Sequence, residues 1–170
     1  GTLRGAKAAT ETARLETVEG GLVLPTEGRW TMGGAQIELR TRTRYAGEPP
    51  APVEYQLDAV TPTGAQRVKA VFAPGKVSFE AEAGGQKMVK EVPLAGKPVL
   101  LDNMIFGHYL VLGKILALDA PGTWSLVVPQ ALAALDMPVK PVGAMVLAGP
   151  GGTEPATALE ITAANVLTTI

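Results

Sequence analysis

His108 is the one histidine in the chain, so any chemistry run by an imidazole must run through it. A hydrolytic triad would need a nucleophile within reach of its ring and a carboxylate to orient it. Serine offers only Ser78 and Ser125, and neither sits in a Gly-x-Ser-x-Gly elbow. Cysteine is absent, which removes thiolate nucleophiles, thiolate metal sites and disulfides together. A lone histidine also excludes the multi-histidine sites of zinc enzymes. On an apolar segment it reads as a structural residue with satisfied ring nitrogens. Tyr109 beside it reads as an amphipathic filler whose hydroxyl needs a partner.

Other constellations fare no better as catalysts. Glycoside hydrolysis needs two acids in one cleft, yet the acids here alternate onto the polar faces of strands. Asp102 and Asn103 stand ahead of an apolar run and read as helix N-caps. GPGG at 149–152 has no Lys-Ser/Thr tail and no helix after it, and AGG at 83–85 lacks a strand-to-helix setting, so neither is a phosphate loop. The Arg40, Arg42, Arg44 ladder suggests an anion site, but Glu54, Asp58, Glu80 and Glu82 occupy the same outward faces. Cross-strand charge pairing accounts for it, and like charges along one strand discourage edge-to-edge aggregation. The reading is of a protein without enzymatic activity, cofactor or metal.

The elements behind these residues are mostly strands. In QIELRTRTRY, Ile37, Leu39, Thr41, Thr43 and Tyr45 face one way while Glu38, Arg40, Arg42 and Arg44 face the other. That period of two is the strand signature. VEYQLDAV, RVKAVFA and KVSFEAEA repeat it, with Val53, Tyr55 and Leu57, then Val68, Ala70 and Phe72, then Val77, Phe79 and Ala81 inward. Gly- and Pro-rich turns separate the runs. Pro25 interrupts GLVLPTEGRWTM and points to an edge or bulge. Strands this regular predict an antiparallel meander, apolar on one face and wet on the other.

Residues 101–118, LDNMIFGHYLVLGKILAL, break the alternation. The spacing predicts a helix over about 102–118, apolar nearly all round, ended by Asp119, Pro121 and Gly122. Its uninterrupted apolar run before Lys114 is about ten residues, against the roughly 20 needed to cross a bilayer. It is therefore a core helix packed in the concave face of a curved sheet. TWSLVVP then predicts a short strand, QALAALD a helical turn or irregular strand, and PVKPVGAMVLAG and TALEITAANVLTTI two further strands joined by the loop GPGGTEP.

Composition bounds the function. The chain's 170 residues suit one domain over 1–170, with a net charge of −1, 18% charged residues and 5% aromatics. Balanced charge and few aromatics exclude nucleic acid as a partner. The start GTLRGAKAATETARLE lacks the basic-then-apolar profile of a signal peptide. Its missing Met reads as the mark of a processed, exported chain.

The order of motifs resembles a known arrangement. Gly1, Gly5, Glu11 and Leu15 open the chain, a strand meander follows, then LDNMIFGHY, then VPQ at 128–130. This resembles bacterial exported domains with a half-barrel like that of lipoprotein carriers. The resemblance implies a curved antiparallel sheet wrapped around a hydrophobic helix and able to hold acyl chains. Ligand-lining candidates are then Tyr45, Tyr55, Phe72, Phe79, Phe106 and Leu110. Such domains end with further strands, whereas this chain stops at NVLTTI, so closing strands are expected to be missing or supplied by a partner. The sequence thus points to an envelope β-domain sheltering a lipid, with a structural or assembly module that shares edge strands as the alternative.

Overall fold

The computed structural model describes residues 2–3, 6–7, 9–119, 122–149, 152–163 and 166–169. Gly1, Gly5 and Pro121 lie outside them. Near the start are β1 (Thr2–Leu3), β2 (Ala6–Lys7), β3 (Ala9–Ala13) and β4 (Glu16–Val18). The meander is β5 (Gly21–Met32), β6 (Ala35–Ala46), β7 (Ala51–Thr61), β8 (Gly64–Ala73), β9 (Lys76–Ala83) and β10 (Gln86–Pro93). Then come β11 (Lys97–Leu100), α1 (His108–Asp119), β12 (Gly122–Val128), a 3-10 turn Pro129–Ala131, β13 (Ala133–Gly149), β14 (Gly152–Ala163) and β15 (Val166–Thr169).

The meander forms an eight-stranded antiparallel sheet in the order β10-β9-β8-β7-β6-β5-β3, with β4 also paired to β5. It curves without closing. The alternation read from the sequence sets its faces. Leu39, Thr41, Thr43 and Tyr45 of β6, Tyr55 and Leu57 of β7, Val68 and Ala70 of β8, and Val77 and Phe79 of β9 are all buried. Arg40, Arg42 and Arg44 are exposed. Gly21 is obligatory at the start of β5, where a Cβ would lie 2.0 Å from the Tyr45 carbonyl oxygen. Pro25 sits inside β5 where the neighbouring edge breaks between β3 and β4, and its carbonyl accepts the Arg14 N–H at 3.2 Å.

A second sheet has the order β11-β12-β13-β14-β15, and side chains of β11, β12 and β13 pack against the concave side. Its first pair, β11 and β12, is parallel, and α1 is the crossover that this direction requires. Buried side chains gather in two apolar clusters. One joins Val111, Leu112, Ile115 and Leu116 of α1 to Leu24 and Tyr45 of the large sheet and to Trp124, Leu126, Met137 and Val139 of the small one. The other joins Tyr55, Leu57 and Phe79 to Leu100, Ile105 and Val127. The architecture is thus a curved antiparallel half-barrel with a hydrophobic helix in its concave face.

Several boundaries differ from the sequence reading. α1 begins at His108, not near residue 102. QALAALD divides between the two readings, with Gln130 and Ala131 in the 3-10 turn and AALD in β13, and GTEP belongs to β14 rather than to a loop. TALEITAANVLTTI divides into β14 and β15. No helix among the described residues is long and apolar enough to cross a membrane.

Candidate functional site

The polar groups of the interior converge where α1 enters the half-barrel. Asp102, 8% exposed, lies in the loop between β11 and α1. Its Oδ2 accepts the Tyr55 hydroxyl at 2.5 Å. Its Oδ1 accepts the N–H groups of Asn103 and Gln130, each at 3.0 Å. The Gln130 amide also donates to the Asn103 carbonyl at 2.8 Å, tying the 3-10 turn to the loop. Asp102 is therefore a clamp across three elements rather than the helix cap. The cap comes from Glu11 of β3, whose carboxylate accepts the Phe106 and Gly107 N–H groups at 2.9 and 2.5 Å. A carboxylate there satisfies orphan donors and complements the helix dipole.

Gly107 makes this approach possible. A Cβ on it would lie 2.7 Å from the Ala13 Cβ, 2.9 Å from the Thr26 hydroxyl and 3.3 Å from the Glu11 carboxylate. Met104 takes a left-handed φ of 62°, a sparsely populated region for a residue with a side chain. The loop is thus bent sharply and held at both ends by carboxylates.

His108 is fully buried and partnered at both ring nitrogens. The Asp102 backbone N–H donates to Nδ1 at 3.2 Å, and Nε2 lies 3.4 Å from the Thr43 hydroxyl. An acceptor Nδ1 puts the proton of the neutral ring on Nε2, where it can be donated to Thr43. The Tyr55 ring meets the imidazole edge-on, with centroids 5.8 Å apart. Burial pushes the His108 pKa down to about 3. Burial likewise raises that of Asp102, opposed by the Tyr55, Gln130 and Asn103 hydrogen bonds. The Tyr55 phenol is raised by burial and then by the adjacent carboxylate. This arrangement is the reverse of a triad, since the carboxylate does not touch the imidazole and the nitrogen facing the hydroxyl already carries its proton.

Two further hydroxyls share the concave face. Thr26 and Thr41 are opposite one another on β5 and β6, both buried, and neither hydroxyl has a hydrogen-bond partner among the described residues. The Trp30 indole N–H is in the same position.

Of the six lining candidates, Tyr45, Tyr55 and Phe79 are buried on the concave face, and Phe72 is half-buried against the same cluster. Phe106 and Leu110 are not with them: they are 59% and 55% exposed, Phe106 in the turn before α1 and Leu110 on the face of α1 opposite Val111, Leu112, Ile115 and Leu116. Glu11 and Thr26 were missed as contributors. Glu11 lies in the opening motif, but nothing local connects it to a helix 95 residues away.

On the outer face of the large sheet, Arg40 of the arginine ladder and the cations of β8 form cross-strand pairs. Arg40 is 3.8 Å from Glu27, Arg67 is 3.0 Å from Asp58 and Lys69 is 3.5 Å from Glu54. A shallow dish of about 450 Å³ on this outer face is lined by Asp58, Arg67, Lys69, Glu80, Glu82 and Lys87 with balanced charge. Among the described residues there is no group of three or more His, Asp or Glu side chains placed to hold a metal ion.

No protein-family model matches the sequence, and no curated protein matches it. The fold is similar to that of a DUF1089 family protein from Pseudomonas aeruginosa, with a TM-score of 0.58 over 100% of this chain and 86% of that one, at 12% identity. At that identity the likeness is one of fold alone.

Proposed function

We propose that the protein is a non-enzymatic, exported cell-envelope β-domain whose concave interior shelters a lipid or another apolar molecule beneath α1. One observation carries the reading. The neighbouring Thr26 and Thr41 hydroxyls are buried on the concave face, Thr26 beside Gly107 at the entry to α1, without a protein partner among the described residues. Buried polar groups are almost always hydrogen-bonded. A guest with an apolar body and an oxygen-bearing end would answer both hydroxyls while its body lies against Tyr45, Tyr55 and Phe79. Ligand pockets share this plan of apolar walls with a few placed polar groups. Native mass spectrometry of protein extracted without detergent tests it. A bound mass that organic solvent removes is expected, and a bare chain from every preparation overturns it. Export is tested separately, by fractionating the producing cells.

An assembly role is the second reading, favoured by β10. This strand forms one end of the eight-stranded sheet, and all of its residues but Val92 are exposed. Such an edge can accept a strand from another molecule, although Lys87 and Lys90 guard it as edge lysines do. Light scattering decides: a monomer at every concentration ends this reading.

A further inference from the structure

Surface helices normally turn charged and polar side chains to water. α1 does not. Val111, Leu112, Ile115 and Leu116 form its buried face. On the other side Phe106, Tyr109 and Leu110 remain 59%, 46% and 55% exposed, with Gly113 and Lys114 exposed beside them. Tyr109, Leu110 and Gly113 follow the three-and-four spacing of one face of α1, and Phe106 lies in the turn that leads into it. The row continues onto the sheet rim, with Trp30 5.5 Å from Phe106 and Phe106 6.5 Å from Tyr109, centroid to centroid.

We propose that Phe106, Tyr109 and Leu110, with the half-buried Trp30 behind Phe106, form a membrane-docking surface that rests on a phospholipid bilayer, with Lys114 reaching the lipid phosphates. This goes beyond the sheltering reading and stands whether or not the interior holds a guest.

Chemistry and size select this occupant. Tyr109 is of the type that settles at the headgroup level, apolar in body and polar at the tip. From His108 to Leu118 the one charged side chain is Lys114, a cation suited to lipid phosphate. Glu11, which reaches the start of the row, spends its carboxylate on the Phe106 and Gly107 N–H groups. The exposed parts of Phe106, Tyr109 and Leu110 amount to roughly 300 Å², about half of what such side chains bury in full. A stable protein dimer takes about 800 Å² per partner, and a two-fold copy would set Lys114 near Lys114. Interfacial binding needs only a few inserted apolar side chains and scales with their area.

The test uses the whole chain with Trp124→Phe. Trp124 is buried at 3% exposure, and its replacement leaves Trp30 as the reporting indole. Vesicles of phosphatidylcholine, alone or with about a quarter phosphatidylglycerol to give an anionic surface, are titrated in. Trp30 emission is expected to shift to shorter wavelength and to be quenched by lipids brominated near the headgroup. The double variant Phe106→Ser/Leu110→Ser should lower vesicle partition by about tenfold or more. Gly113→Glu should lower it too, and Gly113→Leu should raise it. Nothing lies within 4 Å of a Cβ built on Gly113, so these two variants keep the test sharp if the double variant fails to fold. Unchanged partition in the Gly113 variants overturns the proposal. So does partition lost on Val146→Asp, in the exposed β13–β14 hairpin, but kept in Gly113→Glu. A dimer broken by Gly113→Glu, with no vesicle binding, also overturns it. Vesicle binding without co-purified lipid counts against sheltering alone.

Discussion

Asp102 holds His108 by its backbone and not by its side chain: the Asp102 N–H donates to Nδ1 at 3.2 Å, while the carboxylate turns to Tyr55, Asn103 and Gln130. The two ionisable groups therefore titrate with opposite effects on stability. His108 has a folded pKa lowered from 6.5 to about 3. Its contribution is full above 6.5 and is lost as pH falls toward 3, at up to about 1.4 kcal/mol per pH unit. Asp102 has a folded pKa raised above 3.8. Its contribution is full below 3.8 and is lost as pH rises through the folded value, so it offsets part of the histidine's loss on acidification. Chemical denaturation across this range should show a steeper acid-side loss in Asp102→Asn and a shallower one in His108→Gln. Parallel profiles for wild type and both variants would contradict the assignment.

Tyr55→Phe removes the hydroxyl from Asp102 Oδ2 and leaves the rest of the ring in place. A buried carboxylate oxygen that loses its donor costs about 1–3 kcal/mol. The loss should shrink at low pH, where the carboxyl is protonated. Urea unfolding at two pH values measures it, and an equal loss at both would show that ring packing rather than the hydrogen bond matters.

Glu11→Ala should release the first turn of α1. Two backbone donors lose their acceptor, at a cost of about 1–2 kcal/mol in capping terms. Amide exchange should quicken at Phe106, Gly107 and the following turn while β6 to β9 stay protected. Glu11→Gln keeps one acceptor oxygen and should fall between the two. Uniform loss of protection across the sheet would mean that Glu11 serves the fold as a whole.

Gly107→Ala should be worse than its single methyl group suggests. The new carbon would stand 2.7 Å from the Ala13 Cβ and 2.9 Å from the Thr26 hydroxyl, between two backbones that cannot part without losing the Glu11 cap. Overpacking of this kind costs about 1–3 kcal/mol. Adding Ala13→Gly should recover part of it. A thermal midpoint unchanged from wild type would refute the contact.

The half-barrel was legible because its signal is local. Ile37 to Tyr45 and Val77 to Ala81 alternate within their own strands, and the faces followed. The burial of His108 and the partnering of its ring nitrogens were legible, since it stands in an apolar run where a bare imidazole would be costly. The start of α1 was not legible. Asp102 and Asn103 look like caps, but the Asp102 carboxylate is claimed by Tyr55 and Gln130, which only the tertiary fold brings near. Phe106 and Leu110 were placed inside because a helix apolar all round is expected to be buried all round. Hydropathy carries no information about which side faces out when both sides are equally apolar.

The cap on α1 also bears on how the chain is assembled in time. Strands β5 to β10 pair with neighbours adjacent in sequence, so each hairpin can close soon after it leaves the ribosome. Glu11 precedes the meander in the chain yet must wait for a partner 95 positions later. Through that interval the concave face of the sheet stands open, with Tyr55 and Phe79 accessible. β12 follows α1 in the chain and its Val127 closes over Tyr55 and Phe79, so the interior admits something bulky only until that strand docks.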